Sequence, residues 1–242
     1  MALIVKSKYQ MSSFITWNVI RLLIIGLITL SPATMNAVVK NTHHDFTNAT
    51  WGKGEMCIAC HTPHHANNTV SQSPLWNHQV TNNVFTLYSS PTLDAAPTQP
   101  TSISRLCLSC HDGTIALDSF GGYTGTTTFI RVQTAQAEPI MIGSALYKHH
   151  PVAIRYDSAL ASVDSGLYNP DTQPSGLGGT ISHDLLNGGV LECSSCHDVH
   201  VPRGTGSCAD CHDFSYPSYY LNTKSLVKSN DGSALCYTCH IK

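Results

Sequence analysis

Charge is what this chain has least of. Only 12% of its 242 residues are Asp, Glu, Lys or Arg, the formal net charge is −2 at pH 7, and no block of like charge occurs along it. A nucleic-acid surface needs clustered Lys and Arg, so no nucleic-acid partner is expected, and no charged interaction tail either. Long apolar runs are also few. Although 42% of residues are hydrophobic, Gly, Pro, Ser, Thr and Asn interrupt the sequence throughout, leaving little that reads as a core helix or central strand. Something besides side chains is expected to fill the interior.

The main apolar run lies near the start. Lys6 and Lys8, or Arg21 alone if translation begins at Met11, precede the run Leu22 to Leu30, and small residues Ala33 and Ala37 follow. This reads as a signal peptide over residues 1–37. A run of this length falls well short of the ~20 residues that span a bilayer, so no stable membrane span is expected in the mature protein. The same segment has no cysteine for lipid attachment. Its removal would leave ten basic against fifteen acidic side chains.

No cysteine is left over. The ten fall as Cys57/Cys60, Cys107/Cys110, Cys193/Cys196, Cys208/Cys211 and Cys236/Cys239, each pair separated by two residues and followed at once by a histidine: His61, His111, His197, His212 and His240. An exported protein with ten cysteines first suggests a disulfide framework, but that framework has no use for this spacing. Two thiols three positions apart can each add to one vinyl group of a haem, and the next residue then supplies an imidazole to the iron. A zinc site would need four ligands converging from two pairs, with no demand for histidine after every second cysteine. Five covalently attached haem c groups are expected, with these ten cysteines as thioethers and the five histidines as proximal iron ligands.

Nine further histidines lie outside the motifs: His43, His44, His64, His65, His78, His149, His150, His183 and His200. Methionine, the competing distal ligand, is scarce: beyond residue 37 only Met56 and Met141 remain. Bis-histidine ligation is therefore expected, and it favours lower potentials than His/Met. The distal candidates are His44, His64, His78, His150, His183 and His200. His64 and His200 stand three residues after a proximal histidine, about one helical turn away on the same side, so each should reach a neighbouring haem rather than its own.

The motifs begin at 57, 107, 193, 208 and 236, which divides the mature chain into an N-terminal dihaem region (38–145) and a C-terminal trihaem region (146–242). The expected fold class is mostly irregular coil with short helices and a few short strands, a haem-packed multihaem cytochrome c fold. Short helical turns should carry most motifs. Between His111 and Cys193, residues 126–132 and 152–156 read as strands, whereas 169–179, rich in Pro and Gly, reads as loop.

Several segments carry a family resemblance: His44-Asp45-Phe46, Cys60-His61-Thr62-Pro63-His64, Pro74-Leu75-Trp76-Asn77-His78, His150-Pro151-Val152, Cys196-His197-Asp198-Val199-His200 and Gly232-Ser233-Ala234-Leu235-Cys236. Together they resemble the doubled Cys-x-x-Cys-His multihaem cytochromes, a family that includes extracellular tetrahaem cytochromes polymerised into conductive filaments. The fourth motif, Cys208 to His212, looks like an addition to the tetrahaem pattern, with His183 as the distal ligand of the extra haem. The resemblance implies self-assembly into a filament, with His43 or His44 ligating a haem of the next subunit, and a secreted, extracellular location.

The expected function is electron conduction through five six-coordinate haems, with redox proteins or extracellular acceptors as partners and no enzymatic activity. A soluble periplasmic pentahaem carrier that donates to a reductase shares every ligand. A reductase would need one iron with an open position, and no Cys-x-x-Cys-Lys variant is present.

Overall fold

The structure is a computed structural model. It describes residues 39, 42, 44–126, 128–130, 141–200 and 225–241. The segment 1–37, His43 and the whole fourth motif lie outside the described residues, so the expectations placed on them concern sequence alone.

The architecture is mostly coil. Among the described residues the regular elements are helices α1 (Ile103–His111), α2 (Ser158–Val163), α3 (Ile181–Asp184) and α4 (Cys236–Cys239), three 3-10 turns, and strands β1 (Ile154–Arg155) and β2 (Val190–Leu191). None of these helices is long and apolar enough to cross a membrane.

Helix α1 forms where the sequence runs Ile-Ser-Arg-Leu-Cys-Leu-Ser-Cys-His without glycine or proline, and it buries Ser104, Leu106, Leu108 and Ser109. It ends at Gly113, whose positive φ of 77° suits glycine. A Cβ there would also stand 2.6 Å from Met141 Sδ. At the start of α2, the Asp157 carboxylate accepts hydrogen bonds from the Ala159 and Leu160 amides, which cap the free N–H groups.

β1 and β2 pair antiparallel, with Ile154 opposite Leu191 and Arg155 opposite Val190. Of the two predicted strands, 152–156 therefore contains β1. Residues 126 and 128–130 are not in a strand, and Thr128 offers its carbonyl to a single amide, that of Leu117; without a neighbouring edge, β propensity has nothing to pair with. The loop 169–179 contains no helix or strand.

Among the described residues two small apolar clusters serve as core. One joins Phe85, Leu108 and Leu146 beside α1; the other joins Tyr156, Ile181, Leu185 and Leu186, with Leu191, Val227 and Cys239 against it. Each sits behind a cysteine motif. Serines at 104, 109, 119, 175 and 195 are as buried as the apolar residues, so the packing around the motifs is partly polar and held by hydrogen bonds.

Candidate haem-binding site

Each described motif is one helical turn. The amide of the motif histidine donates to the carbonyl of the first cysteine in His61→Cys57 (2.8 Å), His197→Cys193 (2.9 Å) and His240→Cys236 (3.0 Å), and the second motif lies within α1. A turn of this kind puts residues three apart on one face, which presents both thiols to the same side with the histidine next in line.

Burial pushes the second cysteine of every described motif up: Cys60 to about 11, Cys239 to about 11, and Cys110 and Cys196 in the same direction. The first cysteines of the second and third motifs touch. A hydrogen bond between Cys107 and Cys193 raises the former and lowers the latter. Among the described residues no three His, Cys, Asp or Glu side chains converge as a metal site of their own.

Three motif histidines face a histidine from elsewhere in the chain. Ring centres are 6.1 Å apart for His44 and His111, 5.9 Å for His61 and His200, and 6.2 Å for His150 and His240. Two imidazoles on opposite sides of one iron, each with a metal–nitrogen bond of about 2.1 Å and the ring centre about 1.1 Å further out, would have centres roughly 6.4 Å apart. The residues present fit the group. The first pair lies within residues 38–145, the third within 146–242, and the second joins the two stretches.

Backbone carbonyls orient several of these rings. Nδ1 of His61 lies 2.7 Å from the Pro74 carbonyl, and Nδ1 of His150 lies 2.9 Å from that of Pro151. With Nδ1–H donating, Nε2 carries the lone pair a metal would take. His200 instead has Nδ1 3.2 Å from the Asp198 carboxylate, which raises its pKa above the ordinary histidine value.

His78 is placed differently. It is buried, with Nδ1 2.8 Å from the Gln79 carbonyl and Nε2 3.1 Å from that of Ala116, and burial lowers its pKa. A neutral imidazole has one N–H, so only one of these contacts can be a hydrogen bond. The Gln79 contact repeats the Nδ1 arrangement of His150. His64 is exposed, and no motif histidine among the described residues is brought against its ring. His183 is exposed and pairs with Asp184 through Nδ1 at 2.6 Å.

Features not predicted from the sequence complete the site. Trp76 stands between His61 and His78, with its ring nearly perpendicular to that of His61. Its buried Nε1–H has no acceptor among the described residues, which makes it a ready donor to a cofactor carboxylate. His44, Phe46, Trp51 and Phe120 form a continuous aromatic run beside the second motif. Phe120 carries no local signal, because it meets Trp51 through a contact distant in sequence.

The family described as the doubled CXXCH motif matches residues 200–242. That segment holds the fourth and fifth motifs, so the fourth, which looks like an addition beside a tetrahaem pattern, is one half of the matched pair. The doubled motif indicates covalently bound haem c. It fits a multihaem c-type cytochrome that carries electrons. No curated protein matches the chain.

Proposed function

We propose that this chain conducts electrons through five bis-histidine haems c, as a subunit of an extracellular cytochrome filament. The three facing histidine pairs are the observation that carries the reading. An iron held between two imidazoles offers no open position to a substrate, and this favours electron transfer over catalysis.

In this reading Cys57, Cys60 and His61 with His200 hold one haem, Cys107, Cys110 and His111 with His44 a second, and Cys236, Cys239 and His240 with His150 a third. The remaining sites at Cys193, Cys196, His197 and at Cys208, Cys211, His212 draw on His78 and His183. Bound haem supplies a one-electron ferric/ferrous couple. The chain's own part is to hold the imidazoles at fixed distance, keep Nδ1 of His61 and His150 on carbonyls and that of His200 on the Asp198 carboxylate, and exclude water with the two apolar clusters. The pairing of His61 with His200 links the dihaem and trihaem regions into one path.

The filament follows from the resemblance of the quoted segments. Because His44 faces His111 within the chain, His43 is the residue left to ligate a haem of a neighbouring subunit. Intact mass of the secreted protein is expected to show five haems, with low-spin spectra throughout and filaments in negative-stain images. His43→Ala should abolish filaments while keeping five haems. A high-spin haem that binds carbon monoxide when reduced would sink the conduction reading, and soluble monomers alone would favour a periplasmic carrier.

A further inference from the structure

Glu192 is almost fully buried, 3% exposed, yet stands among neutral groups. Its Oε2 accepts from both the amide and the hydroxyl of Ser104 in the first turn of α1. The same Ser104 hydroxyl accepts from the Cys193 amide at 2.9 Å. Glu192 and Ser195 close the arrangement, the Glu192 amide donating to Ser195 Oγ and the Ser195 amide to the Glu192 carbonyl. Ser104 lies one turn before Cys107 on α1 and Glu192 immediately precedes Cys193, so one carboxylate sits at the meeting point of the second and third motifs.

No cation is paired with it among the described residues. The nearest in sequence to its partner, Arg105, spends its guanidinium on the carbonyls of Thr81 and Pro100. A buried carboxylate held by neutral donors is costly unless positive charge lies near it. A ferric haem core with two neutral imidazoles carries such a charge and the ferrous core does not, so a fixed anion beside it favours the oxidised state. The field of Glu192 already reaches both first cysteines, opposing ionisation of Cys107 and of Cys193.

We propose that Glu192 is a fixed buried anion shared by the second and third haem sites, holding both at lower potential than the same sites would have without it. The proposal rests on haem attachment at these two motifs. Glu192 is a positioning and tuning residue and touches neither iron.

The test is Glu192→Gln, which keeps shape and an acceptor for Ser104 while removing the charge. Intact mass comes first: wild-type protein without covalent haem would overturn the functional reading itself. With haems attached, spectroelectrochemical titration at pH 8 should show two midpoint potentials shifted upward and the others in place, and Glu192→Asp should restore them in part. Ser104→Ala, which removes one donor from the carboxylate and strengthens its field, should move the same two potentials downward. If Glu192→Gln fails to fold, Ser104→Ala decides. Unchanged potentials in whichever folded variant is measured, or shifts spread over all sites, overturn the inference and leave the functional reading intact.

Discussion

The first and second motifs share their chemistry and differ in almost everything that holds them. Cys107 sits in a nine-residue helix with Leu108 fully buried beneath it, and its partner elements pack from residues 192 to 195. Cys57 is exposed, in a turn outside any helix. Around it Lys53, His65, Gln72 and Leu75 hold positive φ without being glycine, a conformation that costs ~1 kcal/mol or more per residue. At the second site the polypeptide builds its own support. The first site is shaped by strained loops and by histidines brought from elsewhere.

The largest expected effect that would break this contrast is Leu108→Ala. Removing a fully buried leucine should cost about 3 kcal/mol, read as a lower denaturation midpoint, with the visible spectrum of the second site disturbed before that of the first. Loss of a second ligand should separate the sites next. His200→Ala is expected to give one high-spin haem at the first motif and His44→Ala one at the second, each resolved by electron paramagnetic resonance; no spectral change in either variant would break the pairing. A smaller effect tests the backbone. Gly113→Ala should destabilise by about 1–2 kcal/mol because positive φ and Met141 both oppose a Cβ, whereas Leu75→Gly, at an exposed strained position, should be neutral or stabilising by up to about 1 kcal/mol. Thermal melts of the two variants compare them directly.

The smallest effect falls outside both sites. Hydrogen bonds from the Leu160 and Ala159 amides and from Arg155 hold the Asp157 carboxyl below its ordinary value. A lowered carboxyl pKa contributes stability that is present above the unfolded value and lost as pH falls through the folded one. Amide exchange at Ala159 and Leu160 should therefore speed up in acid below about pH 4 relative to neighbouring amides, while Asp157→Asn removes that pH dependence and neither haem spectrum moves.

The irregular fold was legible in the sequence, because frequent Gly and Pro leave few periodic segments, and so was the doubled motif within residues 200–242, because the Cys-x-x-Cys-His spacing is local. The strand at 152–156 was legible through its β-branched and aromatic residues. Of the strand expected at 126–132, the described residues 126 and 128–130 are not in one, and no pairing edge for them was visible in the sequence. The contacts that join sites were not legible at all: Ser104 gives no sign of Glu192, and Trp76 shows no sign of its orphaned N–H, since both follow from the path of the chain between motifs. Which outer histidine faces which motif depends on the same path, and for the fourth motif it lies outside the described residues.

The facing of His61 and His200 has a consequence for time rather than space. Residues emerge in order during synthesis and the earlier parts of a chain fold first. In the proposed pairing both imidazoles of the second site are present once residue 111 has been made, because His44 precedes it. In the same proposed pairing the first site gains its second imidazole only when residue 200 has been made, so the earliest motif receives its second ligand after a later one.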